Sequence, residues 1–101
     1  MDTDAQKTLD DAMAELPEEL RTEAFWNQVQ TIASELGKKY KLHIDQVGKL
    51  DNEITTRILG VEGTDTLKQS LQSEVGVTGE NTNLLLADIN EFIFKPLQAK
   101  L

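Results

Sequence analysis

The fold this sequence predicts is all-α: a compact single-domain bundle of four to five helices, with the C-terminal helix central. Three observations predict it. Apolar residues recur at three- and four-residue steps along several stretches of the 101-residue chain. Residues suited to starting helices stand just ahead of those stretches, and two stretches close on glycine followed by valine. With 39% hydrophobic and 28% charged residues the composition is that of a folded globule, and the length suits one core rather than two.

The first element is expected over residues 4–15, where Thr3 can act as a cap and Gln6 can complete a capping box. Its apolar stripe (Ala5, Leu9, Ala12, Met13, Leu16) is thin, so little apolar area holds it to a core. Residues 1–21 therefore read as an acidic N-terminal helix and turn, loosely attached to a helical core domain over 22–101. Pro17 opens the turn at 17–21, since proline suits a first helical position. Beyond it, Phe25, Val29, Ile32, Leu36 and Tyr40 share one helical face. Leu20 falls on the opposite side if that helix is continued backwards. A break near Thr22, which can cap a new helix, removes the conflict and places the main helix at 23–39.

His43 is the next expected cap, with Gln46 three residues on and Leu42 facing Val47 as a hydrophobic staple. Val47, Leu50, Ile54 and Ile58 mark the buried face of that helix, which ends at Leu59-Gly60-Val61. The segment from Leu59 to Thr66 is echoed sixteen residues later from Val75 to Thr82. Two such copies are too few for a repeat architecture and read as two similar helix ends, each with a left-handed glycine and a valine packing back. A helix over 65–74 with Leu67, Leu71 and Val75 inward lies between them.

The last helix, expected over 80–97, is apolar around more than half its circumference: Leu84, Leu85, Leu86, Ala87, Ile89, Phe92, Ile93, Phe94 and Leu97 leave a narrow polar strip. Such a helix is either central to a bundle or buried against a partner. Pro96 should bend or end it. Trp26 flanks the core face of the 23–39 helix, Phe94 flanks the main arc of the last one, and Asn90 sits within that arc. With Phe92 these form the candidate interaction residues (Trp26, Asn90, Phe92, Phe94), because aromatic anchors dominate protein interfaces. Set against this is packing of the same side chains in seams between helices.

Charge narrows the possible partners. The formal net charge is −8, and residues 1–23 carry −6 of it through eight acids and two bases. Phosphate backbones attract basic surfaces, so no nucleic-acid partner is expected. The one basic cluster, Lys38, Lys39, Lys41 and Lys49, suits the end of a helix. Mimicry of nucleic acid by the acidic segment would rest on that segment alone. No run approaches the roughly 18–20 apolar residues of a membrane span, and the acidic N-terminus is unlike a signal peptide. The expectation is a cytoplasmic protein with no membrane partner.

The residues give no catalytic centre. The chain has no cysteine, so disulfides, thiolate metal sites and a cysteine nucleophile are absent. His43 is the single histidine, and no HExxH, GxSxG, Walker or GxGxxG spacing occurs. Asp51 to Glu62 has the length of a calcium loop, but Thr56 stands where the turn needs glycine, and Ile54, Ile58 and Leu59 make it a core helix. Neither metal nor cofactor is expected. Leu59-Gly60 with Asp65-Thr66-Leu67 is similar to the Asp-Ser-Leu site of acyl carrier proteins, where the serine receives the phosphopantetheine arm. Thr66 replaces that serine here, and the long loop before the motif is missing.

Over about its last sixty residues the chain resembles a family of short helical proteins from candidate-phyla bacteria. The matching residues are those from Tyr40 to Gly48, then Ile58-Leu59-Gly60, and finally those from Asn90 to Leu97. That family has no established activity, so the resemblance implies a helical domain in a bacterial cytoplasm and supplies no mechanism. The expectation for function is a non-enzymatic helical interaction module with a protein partner or a second copy of itself. The alternative is a carrier or small-molecule-binding domain, using the Thr66 region or an apolar pocket between helices.

Overall fold

The structure, a computed structural model, describes residues 11–100. Most of the helix expected from residue 4 lies outside that range; residues 11–14 are helical. A single 3-10 turn, Glu18–Leu20, follows Pro17. Leu20 is only 2% exposed, so this turn is anchored to the body of the protein.

Four longer elements follow. Helix α1 is Glu23–Lys39 and α2 is Ile44–Ile58. Helix α3 covers residues 64–75 as a 3-10 turn, an α-helical turn and a π-helical turn in succession. Helix α4 covers residues 80–100, with an α-helical half, a π-helical turn at Asn90–Phe94 and a last α-helical stretch. There is no strand among the described residues, so the chain forms the all-α bundle that its periodicity predicts.

Cap chemistry sets the boundaries. Thr22 Oγ1 accepts the Phe25 amide at 3.2 Å and starts α1 where the phase change requires a break. At the start of α2, the His43 amide donates to Gln46 Oε1 at 2.8 Å. Gln46 Nε2 in turn donates to the Val75 carbonyl at 2.9 Å, so one side chain ties the start of α2 to the end of α3. Gly60 (φ +75°) and Gly76 (φ +84°) take the left-handed conformation expected of both helix ends. Val77 packs into the core as predicted, whereas Val61 stays exposed.

The helices alternate in direction. Gly37 of α1 lies so close to Val47 of α2 that a Cβ added there would collide with Val47 Cγ2. Arg57 bonds Thr66 and Ser70 while Gln46 bonds Val75, so α2 and α3 run antiparallel. One hydrophobic cluster joins all four elements: Val29, Ala33 and Leu36 from α1; Leu50, Ile54 and Ile58 from α2; Leu67, Leu71 and Val75 from α3; Leu85, Ile89, Ile93 and Phe94 from α4. At roughly 1.5–3 kcal/mol for each large apolar side chain buried, this cluster is the main stabilising term.

Two expectations for the last helix need correction. Phe94, expected beside the main arc, is buried at 8% exposure. The cause is the π turn, in which the Lys95 amide bonds the Asn90 carbonyl five residues back. A π turn takes up one extra residue, so everything beyond it is rotated by about 100° relative to a continuous α-helix. Across this turn Ile89, Ile93 and Phe94 are buried while Phe92 is exposed. Of the two outcomes expected at Pro96, a bend or an end, the end does not occur, since the helix runs on to residue 100. The wide turn opens the hydrogen-bond ladder just where proline offers no donor.

Candidate functional site: the seam between α1 and α4

Helices α1 and α4 run antiparallel. Phe25 and Val29 lie beside Pro96 and Leu97, Ile32 and Leu36 beside Phe92, and Lys39 and Tyr40 beside Asp88 and Leu84. The 3–4 rhythm of α1 provides Phe25, Val29, Ile32 and Leu36 as one wall. The opposite wall comes from α4, where the π turn decides which side chains face in and which out.

The middle of the seam is an open apolar groove of about 380 Å³, lined by Ile32, Glu35, Leu36, Lys39 and Phe92. A smaller hollow between Phe25, Val29, Ile32, Ile93, Pro96 and Leu97 continues it toward the C-terminus. Phe92 borders both and is 53% exposed, and Leu84 farther along α4 is 51% exposed. Large apolar groups gathered along a groove are a more informative sign than an isolated exposed leucine.

The other end of the seam is polar. Lys39 Nζ lies 2.7 Å from Asp88 Oδ2, and the Tyr40 hydroxyl donates to the same oxygen. The bond from Lys39, then that from Tyr40, holds the Asp88 carboxyl below the ordinary aspartate range. The Tyr40 hydroxyl is pushed up, first by burial and then by its bond to Asp88. These three groups fasten the end of α1 to α4 and bound the groove. Through the shared Asp88 oxygen they brace the two helices against each other.

Of the four residues expected to form an interaction surface, Phe92 alone lines the groove. Trp26 stands edge-on to Phe25 with ring centroids 5.1 Å apart, and its Nε1 is buried without a hydrogen-bond partner. Asn90 is exposed, and Phe94 belongs to the core. The sequence reading missed Asp88 and Tyr40 as partners, although Lys39-Tyr40 and Asp88 stand on the two helix faces that meet.

It also missed Arg57, the most buried charge among the described residues. Its guanidinium is enclosed by the Glu53 carboxylate, Glu62 at 3.1 Å, Thr66 Oγ1 at 2.9 Å and Ser70 Oγ at 3.0 Å. A buried charge is tolerated when it is paired and hydrogen-bonded in this way. The signal available in sequence was the i,i+4 spacing of Glu53 and Arg57, but that spacing usually marks a solvated helix face. Thr66 is drawn into this cluster: its hydroxyl accepts from Arg57 and donates to the Gly63 carbonyl at 3.0 Å.

Among the described residues, no group of three or more His, Asp or Glu side chains is placed to hold a metal ion. Among them, too, no helix is long and apolar enough to cross a membrane. The chain matches no family model, no curated protein and no solved structure.

Proposed function

We propose that the chain is a non-catalytic helical interaction module, acting in a bacterial cytoplasm, whose partner docks in the seam between α1 and α4. The observation that carries this reading is Phe92, a half-exposed aromatic ring standing in an apolar groove of about 380 Å³. Exposed aromatic anchors beside apolar sockets are where binding energy concentrates in protein interfaces. The π turn supports the same reading: it turns Phe92 outward while keeping Ile93 and Phe94 in the core.

The test is a photoreactive benzoylphenylalanine in place of Phe92, irradiated in living cells. The same group at Asn52, exposed on α2, serves as the control. A discrete protein adduct is expected from position 92 and not from position 52. Irradiation that yields no adduct at 92 removes the reading.

A second reading, an apolar small molecule in the same seam, is favoured by the groove's volume, which falls within the range of ligand pockets. Native mass spectrometry of the protein purified from its own cells separates the two, since a retained ligand adds a fixed mass to the chain. The carrier form of this alternative gains no support at Thr66. Attaching an arm there would remove the proton that the hydroxyl donates to the Gly63 carbonyl and crowd the oxygen that accepts from Arg57.

A further inference from the structure

The seam also indicates what kind of partner fits it. We propose that its occupant is a second copy of this chain, docked about a two-fold axis passing close to Phe92. The proposal rests on the reading of the seam as an interaction surface and names its partner. An interface between identical copies about a two-fold axis is self-complementary, so any projection on the patch needs a socket on the same patch, and any charge an opposite charge. The projection is the half-exposed Phe92 ring. The sockets lie on either side of it, one walled by Ile32 and Leu36 and the other by Phe25, Pro96 and Leu97.

The charges are arranged for self-recognition. Glu91 and Lys95 stand one turn apart on α4 on either side of Phe92 in sequence, both exposed and 3.5 Å from each other. Glu35 and Lys39 stand one turn apart on α1 along the groove. In each helix the acid precedes the base by four residues. Two copies of α4 laid antiparallel therefore place Glu91 of one opposite Lys95 of the other, twice over. Laid parallel in register, they oppose like charges, so the pattern selects the antiparallel arrangement, whose two-fold axis runs across the helices.

The two helix segments of the seam carry balanced charge. Although the chain carries −8, residues 25–40 contribute Glu35, Lys38 and Lys39, and residues 84–97 contribute Asp88, Glu91 and Lys95. The two helix segments that form the seam are thus neutral together, and most of the negative charge lies in residues 1–23. A strongly basic or acidic partner would find no complementary field on this face. A neutral, apolar, charge-alternating one would, and the chain itself carries such a surface.

Sedimentation equilibrium of the full chain from about 1 µM to 1 mM, the range expected for a small interface, tests the proposal. The apparent mass is expected to rise from monomer to dimer. Phe92→Glu should raise the dissociation constant at least about 30-fold, the effect of losing one central anchor, while far-UV circular dichroism stays unchanged. Glu91→Lys and Lys95→Glu should each weaken the dimer, and the double variant, which restores opposite charges across the axis, should recover it.

A monomer at every concentration overturns the proposal. So does a dimer indifferent to Phe92→Glu, or a double variant weaker than both singles. In those cases crosslinking from position 92 separates the two ideas. An adduct with a different protein leaves the interaction module standing with another partner, and the absence of any adduct removes both.

Discussion

Lys41 has φ +57°, a left-handed conformation that side chains with a Cβ disfavour. It stands where a helix-ending glycine would be expected: the Leu42 amide reaches the Gly37 carbonyl at 2.8 Å and the Lys41 amide reaches Lys38 at 3.3 Å. Lys41→Gly should therefore raise stability by about 1 kcal/mol, read as a higher urea midpoint with the slope unchanged. A lower midpoint would mean that the lysine side chain makes a contribution larger than its backbone strain. Nothing in the sequence marks this position, because the signal used for the other two helix ends was glycine itself.

Two aspartates should bend the pH profile in opposite directions. Asp88 is held below its ordinary value of about 3.8 by Lys39 and Tyr40, so the folded protein binds its proton less readily than the unfolded chain. Its stabilising contribution is complete above that ordinary value and is lost as pH falls through the depressed one. Asp51 is pushed up by burial, and its Oδ1 is buried without a partner. The folded state binds that proton more readily, so Asp51 lowers stability as pH rises from the ordinary value through the raised one. Relative to wild type, Asp88→Asn should lose less stability on acidification below about pH 4, and Asp51→Asn should be more stable near neutrality. Urea unfolding at a series of pH values gives both differences, and a pair of parallel profiles would contradict them.

At the scale of the helix, legibility follows local chemistry. Helix α1 could be placed at 23–39 because Leu20 breaks phase and Thr22 can cap, both decided within a few residues, and α2 followed from Leu42, His43, Gln46 and Val47 for the same reason. The π turns were not legible. Asn90, Glu91, Phe92, Ile93 and Phe94 satisfy an α-helical pattern as readily as a π-helical one. The choice is made by packing against Val29 and Ile32 and by Pro96 two residues later. The consequence is measurable in two neighbouring aromatics. Phe94→Ala should cost about 3–5 kcal/mol, as for a buried phenylalanine, and Phe92→Ala less than about 1 kcal/mol in the monomer. Equal costs would place both rings in equivalent surroundings and remove the π turn as the reason for their difference. The Arg57 cluster was hidden for a related reason: Thr66 and Ser70 reach it across a helix–helix contact that neither segment announces.

Across the molecule, the main question is whether four helices of modest length behave as one unit. The hydrophobic cluster joins all of them without a gap, and the longest-range ties, Lys39 to Asp88 and Gln46 to Val75, connect helices that no short segment could hold together alone. Isolated helices of 17 and 15 residues are marginal in water, so α1 and α2 have little reason to persist once the cluster opens. The single tryptophan, Trp26, reports locally on α1 and its contact with Phe25, whereas far-UV circular dichroism reports on every helix. The two signals should give coincident urea transitions, with a slope of about 1 kcal/mol per molar for a chain of this size. If the tryptophan signal moved first, α1 would be leaving a bundle that survives it, and the groove would be dismantled before the rest of the fold. Coincidence would instead make the groove as stable as the whole domain, so that Phe92 meets a partner from a preformed surface rather than from one assembled on contact.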